Sequence, residues 1–575
     1  MPSVSCLLQI GLFANALAAS RQPSDAIHSL NTTLGGRVRP IEPFSLPCYS
    51  KFNGRAVKRN EALCAERQAH YTDPAYRREM PGAYMSDTSS IDASDAASTD
   101  QCLLDPHDPT NPDAWEGRDC RLGNLPSYYI QVESAADALE AFRHARMYGV
   151  RLSIKTSGHS YVGDAGMKDS VLLWTRKLQH MKRHRRFVPS ACPDTETFDA
   201  ITTGAGVSCG EAYRYADEEN VTIICGYSPT VGISGGWTQG GGHSVLSNVY
   251  GLGADRVVQF TVVTPDGRVR VANKCQNSDL FWALRGGGGG TYGLVMDSTH
   301  IVEPSIRLSV ASISVPGRQD VVGAFLDLMV DTAIELARDG WGGHIYGNKI
   351  VYVNPLITTL DSAKKSMGRV TELANAYGGS SDISISPNWY HFFEAHVLSS
   401  SYPVGNLNLV GCQLVPASLF ENRGDRQKVK SHLRRMLAEG RMGYIPADSP
   451  YLAGQSVEAN ETSVHPAWYS SLWQLCVAGR WEWNSTLDER VDVAQKLQRD
   501  SMRLRRLTGS GAAYKNEANP FTVDWKTAWY GGKYEALLIA KKKYDPQRLL
   551  RCWGCVGWQE QDAEESTYTA FNQIY

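Results

Sequence analysis

The 575-residue sequence has no excess charge of one sign. Its 58 Lys and Arg face 60 Asp and Glu, for a formal net charge of −2. No global field therefore draws in nucleic acid or an anionic membrane. The densest basic run, Lys182-Arg183-His184-Arg185-Arg186, stands alone and reads as a solvated loop or strand end. Long hydrophobic runs are missing too, since no later stretch reaches the ~18 apolar residues of a membrane span. The opening residues carry an apolar stretch from Val4 to Ala14, then Ala16-Leu17-Ala18, which suits a secretory signal peptide over 1–19. That stretch lacks a leading Lys or Arg, so a peripheral anchor or a buried N-terminal strand is the alternative. The common nucleotide fingerprints are absent as well. There is no G-x-x-x-x-G-K-[ST] loop, and no Gly-x-Gly-x-x-Gly match opens a helix after the first strand with an acidic residue at Rossmann spacing. Any nucleotide must be held by loops at several strand ends.

What is present is a globular balance rich in glycine: 42% hydrophobic, 21% charged, 52 Gly. The length exceeds one hydrophobic core and predicts two or three domains. Of 13 cysteines, Cys6 would leave with the signal peptide, and the even remainder fits disulfides, each worth ~2–4 kcal/mol, without fixing their pairing. Asn31, Asn220, Asn460 and Asn484 begin glycosylation sequons. Residues 20–122 read as an N-terminal extension, with a polar mobile loop from Met85 to Asp100. Cys48, Cys64, Cys102 and Cys120 are expected to staple this extension to the body. Cys552 and Cys555 lack a second pair at zinc spacing and read as disulfide cysteines, not necessarily bonded to each other.

Ordered patterning resumes at Tyr128. Tyr128, Ile130 and Val132 alternate as a strand. Ser134 caps a helix with Asp137 three residues on, and Gly149 suits its stop. Val150 to Ile154 form a second strand, which delivers the chain to Thr156-Ser157-Gly158-His159-Ser160. A second β-α-β unit, with strands Ala200–Thr203 and Val221–Cys225 around helix Ser208–Glu219, delivers Gly226 to Gly232. A hairpin over Val257–Val263 and Arg268–Ala272 and a helix over Ser278–Leu284 follow. Beyond about residue 305, helices Asp320–Ala337, Asp361–Tyr377 and Leu487–Leu507 alternate with strands such as Ile350–Val353, as in a second α+β domain.

The segment Ile233-Ser-Gly-Gly-Trp-Thr-Gln-Gly-Gly-Gly-His243-Ser244 packs five glycines into twelve residues. Each costs roughly 0.5–1 kcal/mol against Ala. Such a cost persists where backbone N–H groups must approach phosphate oxygens. A second run, Gly286 to Gly290 after Arg285, points the same way. Flexible linkers are not usually flanked by Trp, Leu and Phe.

Four pieces carry a resemblance to a known family: IKTSGHSYVG (154–163), GYSPTVGISGGWTQGGGHS (226–244) continued by YGLGADRV, NSDLFWALRGGGGGTYGLV (277–295), and DWKTAWYGGKYEALLIAKKKYDP (524–546). The sequence resembles the FAD-linked oxidases of the PCMH-type (vanillyl-alcohol-oxidase-like) fold, berberine-bridge-enzyme-like branch. It is most similar to the fungal isoamyl-alcohol-oxidase-like and 6-hydroxynicotine-oxidase-like members, over about 123–305 and 518–558. The resemblance implies a two-domain α+β fold. Residues 123–305 would form the FAD-binding part, 306–517 a substrate domain of antiparallel sheet backed by helices, and 518–575 a segment returning to the first.

It also implies roles. Ser157, Gly158, His159, Ser160, Tyr161 and Gly163 would bind FAD, with the His159 imidazole bonded covalently to the flavin methyl; a His that only hydrogen-bonds the cofactor is the alternative. Ser228, Pro229, Thr230, Val231, Gly232, Gly235, Gly236, Gly240, Gly241, Gly242, His243, Ser244, Gly293 and Val295 complete the implied cofactor contacts, with a structural hydrogen bond as the other reading of His243. Many relatives add a second bond from a Cys where this chain has Ser228, a far poorer nucleophile, and Cys225 lies three residues early. A single link is therefore expected. Val231 matches the position thought to govern oxygen access. Relatives often have Asn where this chain has Lys533. Tyr530 would sit near the flavin, as a general base if its pKa were lowered or as packing. Trp389 to Phe393 either line the pocket or fill the core. The implied activity is a secreted, FAD-dependent oxidation of a small alcohol, amine or secondary-metabolite intermediate, with O2 reduced to H2O2. A flavin dehydrogenase with another acceptor, or a non-catalytic FAD-binding protein, is the alternative. No metal, nucleic acid or membrane span is expected.

Overall fold

The computed structural model describes residues 23–88, 100–399, 403–456 and 461–559, with Asp562, Tyr568, Phe571 and Ile574. The signal-peptide region, most of the Met85–Asp100 loop and Asn460 lie outside the described residues. Asn220 and Asn484 are exposed, and Asn31 is half-buried.

The extension supplies β1 (Val38–Pro40) and a two-residue-strand hairpin, β2 (Lys51–Phe52) and β3 (Arg55–Ala56). Alternating apolar residues then form β4 (Tyr128–Gln131). The helix Ala135–Tyr148 follows, started by the Ser134/Asp137 capping box and stopped by Gly149 at φ 68°. It leads into β5 (Arg151–Lys155). The expected β-α-β unit is present, but its strands do not touch. β6 (Ser170–Trp174) inserts between them, parallel to both, in a sheet ordered β1-β4-β6-β5. Nothing in the sequence pattern distinguished β6, because every residue of it is buried and no alternation shows.

β7 (Met181–Phe187) contains the whole basic run, which is neither loop nor strand end. It pairs antiparallel with β8 (Phe198–Gly204), and Arg183 reaches Asp199 at 2.5 Å. The helix Cys209–Glu218, again with a capping box from Ser208 and Glu211, leads to β9 (Val221–Ile223). The predicted hairpin is β10 (Val257–Thr264) and β11 (Arg268–Ala272), turning at Gly267 with φ 85°. β12 (Leu294–Pro304) then binds β10, β8 and β9, all antiparallel. The two strands of the second β-α-β unit are thus parallel to each other only through β12.

Beyond it, β13 (Leu308–Ser314), β14 (Gly342–Ile345), β15 (Lys349–Asn354), β16 (Ser380–Ser386) and, after β17 (Leu407–Pro416), β18 (Ile445–Ala447) form an antiparallel sheet ordered β16-β13-β15-β14-β18. β17 pairs with β19 (Ser471–Trp481). Helices back these strands. Phe325, Leu326, Met329 and Val330 of the helix Gln319–Asp339 join Ile313, Ile350 and Tyr352 in one buried cluster. The helix expected over Asp361–Tyr377 is two, Leu360–Ser366 and Gly368–Ala376, broken where Met367 takes φ −85° and ψ 3°. The C-terminal helix Tyr534–Tyr544 packs back on the first half. Lys541 donates to the Thr291 carbonyl at 2.6 Å, and Leu550 bridges to Leu152 of β5.

All twelve cysteines of the described residues pair. The bonds are Cys48–Cys64, Cys102–Cys120, Cys192–Cys275, Cys209–Cys225, Cys412–Cys476 and Cys552–Cys555. The extension's four cysteines therefore close loops within it and do not staple it to the body. Hydrogen bonds attach it instead: β1 pairs with β4, and Lys155 of β5 donates to the carbonyls of Met80 (2.8 Å), Pro81 (3.0 Å) and Ala83. Among the described residues no helix is long and apolar enough to cross a membrane.

Candidate cofactor site and its substrate side

The His159 turn begins where β5 ends. Its backbone is fixed from the extension's side: the N–H of Met85 donates to the Gly158 carbonyl at 3.1 Å. Gly158 sits at φ 80°, and a Cβ there would lie 3.0 Å from both Tyr84 and Lys155. Only glycine fits that backbone without strain. The turn presents the His159 imidazole, whose Nε2 lies 2.7 Å from Thr230 Oγ1. One hydrogen bond thus joins the two strand-end loops. Burial, with the Arg78 charge adding to it, pushes the imidazole down to about 4. The ring is neutral at physiological pH, the form that can act as a nucleophile. Ser228 Oγ lies 3.5 Å from Thr230 Oγ1.

The glycine segment closes on the same turn. A Cβ on Gly232 would lie 2.3 Å from Thr156 Cγ2, and one on Gly235 would lie 2.8 Å from Thr156 Oγ1. Close approach to the residue just before Ser157 thus accounts for both glycines. Gly236 has nothing within 4 Å of its Cβ direction, whereas a Cβ on Gly289 would lie 2.8 Å from the Gly236 backbone. The second glycine run therefore packs on the first. Its amides are partly engaged: the N–H groups of Gly286 and Gly288 both donate to the Gln239 carbonyl at 2.9 Å. That run supplies room more than phosphate donors.

A fourth segment, Tyr514 to Glu517, ties these loops together and was not singled out in the sequence. The Tyr161 N–H donates to the Asn516 carbonyl at 2.9 Å, and Asn516 Nδ2 donates to the Gly236 carbonyl at 2.9 Å. The Tyr514 hydroxyl donates to the Trp237 carbonyl at 3.2 Å. Lys515, buried against Gly288, pairs with Asp164 at 2.6 Å. A charged-polar Lys-Asn-Glu string between apolar neighbours was the available signal. Ser160 Oγ and Gln239 Oε1 are buried without a protein partner, and Gly236 opens the Cβ side of its backbone. Unmet polar atoms beside glycine-lined backbone fit a phosphate-bearing cofactor.

Other predicted residues take different places. His243 is held by protein: Nδ1 lies 2.5 Å from Asp448 and Nε2 3.1 Å from Glu517. Burial opposes its charge, but the two carboxylates outweigh burial and hold its pKa well above the usual value. Gly293 is a packing glycine, since a Cβ would meet the Val263 carbonyl at 2.4 Å, and Val295 lies on β12 opposite Val262. Tyr530 is fully buried beside Trp525 and Tyr534 and donates to the Gly554 carbonyl at 3.1 Å. Burial pushes its hydroxyl well above the ordinary range, opposite to what a base requires. Lys533 donates to the carbonyls of Thr462 and Val464. Trp389, Phe392 and Phe393 fill the core, with Tyr213 edge-on to Trp389 and Phe393, rather than lining a pocket. Cys225 is bonded to Cys209.

Comparison with known proteins gives the family. The family described as FAD binding domain matches residues 126–273, and that described as berberine and berberine like matches 513–552. The second match includes the Tyr514–Glu517 segment. The FAD-linked oxidoreductase ffsJ of Aspergillus flavipes is 39% identical, over 94% of this chain and 93% of that one. The crystal structure of the VAO-type flavoprotein MtVAO615 from Myceliophthora thermophila is 27% identical and superposes with a TM-score of 0.79, over 94% of this chain and 96% of that one. At the level of fold alone, a glucooligosaccharide oxidase from Acremonium strictum, a protein with 6-S-cysteinyl, 8α-N1-histidyl FAD, is 19% identical with a TM-score of 0.58, over 75% of this chain and 92% of that one. The chain belongs to the FAD-linked oxidoreductases of the vanillyl-alcohol-oxidase type, in their berberine-bridge-enzyme-like branch.

Proposed function

We propose that the protein is a secreted oxidase that holds FAD through one covalent bond, at His159, and oxidises a small alcohol, amine or secondary-metabolite intermediate with O2 as acceptor. The observation that carries this reading is the neutral His159 imidazole, hydrogen-bonded to Thr230 at the meeting of the glycine turns. The cofactor, when bound, supplies the hydride acceptor that no side chain can provide. The protein's part is placement. Ser157 to Gly163 and Gly232 to Gly242 bring backbone within reach of the pyrophosphate, and Thr230 orients the imidazole. A single bond is favoured because Ser228 is a weak nucleophile and Cys225 is already in a disulfide. The partly buried Val231, small beside the His159–Thr230 contact, suits access by O2. Six disulfides suit an oxidising compartment. We assign FAD binding to 123–305 with 518–575, and the substrate to the sheet and helices between.

The test is a screen of primary alcohols and amines with the purified holoenzyme. Flavin bleaching without oxygen, followed on aeration by rapid recovery and one peroxide per turnover, is expected. Bleaching with slow recovery in air points to a different electron acceptor. A bound flavin that dithionite reduces but no organic donor does contradicts the enzyme reading.

A further inference from the structure

Asp448, His243 and Glu517 form a carboxylate–imidazole–carboxylate chain, with contacts of 2.5 and 3.1 Å on the two ring nitrogens. Asp448 is 1% exposed and Glu517 14%. One oxygen of each, Asp448 Oδ1 and Glu517 Oε2, is buried without a hydrogen-bond donor. A buried carboxylate oxygen without a donor is costly and marks a place where a donor is brought in.

The chain's surroundings connect it to the cofactor side. Glu517 follows Asn516, the residue bonded to both the Tyr161 amide and the Gly236 carbonyl. Tyr161 itself packs on the Cys412–Cys476 disulfide. A belt of rings continues from there. His344 of β14 stands edge-on to Tyr227 at 4.5 Å, to Tyr346 at 5.7 Å and to Tyr444 at 5.7 Å. Tyr227 directly precedes the Ser228–Thr230 loop, and Tyr444 directly precedes β18. Burial and the Glu517 charge push the Tyr444 hydroxyl well above its ordinary range. The belt thus runs between the loops that hold His159 and the edge of the antiparallel sheet, and all four tyrosines are partly exposed. Asp448 and Glu517 place two acidic side chains on either side of the His243 ring beside it.

From this geometry we infer that Glu517 is the catalytic base of the oxidation, and that the tyrosine belt takes an uncharged or cationic O–H or N–H donor with an apolar body, an alcohol or amine and not a carboxylate. The inference rests on the flavin-oxidase reading. In the step, the donor's O–H or N–H proton passes to Glu517 Oε2. Its adjacent C–H hydrogen would leave with the bonding pair, as hydride, to the oxidised flavin that the His159 and glycine loops would hold. A C=O or C=N bond forms, so two electrons and two hydrogens leave the donor. His243 and Asp448 are positioning residues: Asp448 orients the ring through Nδ1, and Nε2 of that ring holds Glu517 Oε1 and leaves Oε2 as the acceptor.

The test compares wild-type holoenzyme with Glu517→Gln, Glu517→Asp and Asp448→Asn. Flavin retained after acid precipitation is measured first, and all four should match. Wild type without flavin contradicts the FAD reading itself, not the role of Glu517. Sulfite, which adds to oxidised flavin and is opposed by a nearby anion, is then titrated. Glu517→Gln should tighten the sulfite dissociation constant at least about tenfold, Asp448→Asn by a smaller factor, and Glu517→Asp should stay near wild type. With the alcohol or amine that reduces wild type fastest, anaerobic flavin reduction in Glu517→Gln should slow by roughly 100-fold or more and recover in part in Glu517→Asp. Unchanged sulfite affinity or unchanged reduction in Glu517→Gln overturns the inference. Should Glu517→Gln fail to fold, Asp448→Asn decides: tighter sulfite binding supports the inference, and wild-type affinity overturns it.

Discussion

Thr156 shows how single atoms decide the site. Gly232 and Gly235 both press on its side chain, and a methyl at Gly232 would stand 2.3 Å from its Cγ2. Gly232→Ala should therefore cost about 1–3 kcal/mol by overpacking. Thr156→Ser, which removes Cγ2, should return part of that loss in the double variant. A double-mutant cycle by urea denaturation reads the coupling, and strictly additive costs would show that the contact does not govern the turn. The meeting of the His159 turn with the glycine loops was legible in the sequence because its signals are local: small residues at a strand end, and glycine where backbone comes close. Glu517, Asp448 and Tyr444 were not legible. They converge from distant segments, and a buried carboxylate without a donor is a property of packing alone. The two readings of Tyr530 could not be separated for a related reason, since an aromatic near a family motif reads the same whether it faces a ligand or the core.

Among elements, helices with sharp start and stop signals were the most legible. The Ser134/Asp137 capping box and Gly149 bound their helix as the sequence indicates. Ser134→Ala should cost about 1 kcal/mol, measured by thermal unfolding, without changing flavin content. Strand partners were far less legible. β6 separates β4 from β5, and β12 separates β8 from β9, because a strand's own residues specify its faces but not its neighbours. The extension's disulfides were assigned to the wrong elements for the same reason. One disulfide adjoins the proposed cofactor loop. Cys209–Cys225 closes a 16-residue separation directly before the Ser228 loop. The double variant Cys209→Ser, Cys225→Ser should lose about 3 kcal/mol of stability and, with FAD bonded at His159 as proposed, keep flavin in the acid-precipitated protein, read by absorbance. Loss of that flavin in a folded variant would implicate the disulfide in attachment.

At the scale of the whole molecule, buried imidazoles set the response to pH. Burial first, and nearby cations after it, depress His300 to about 3. Burial likewise depresses His344, His432 and His465 to about 4. Below the unfolded value of about 6.5 the unfolded chain takes up protons that these folded rings refuse, so stability should fall from about pH 6.5 towards 4. His243 has the opposite sign. Its raised pKa makes its contribution complete below about 6.5 and lost as pH rises through the folded value. Melting temperatures across pH should show an acid decline that His300→Gln reduces, and an alkaline decline that Asp448→Asn reduces. Flat profiles in both variants and wild type would contradict these assignments.

On the proposed reading, glycine turns from separate strands meet around a dinucleotide and leave the His159 imidazole beside its ring. Mass spectrometry of peptides from the denatured holoenzyme tests it most directly. The account predicts flavin on the peptide containing His159, none on the peptide containing Ser228, and flavin released in full from His159→Ala. Flavin on any other residue, or released in full from the wild-type protein, would contradict it.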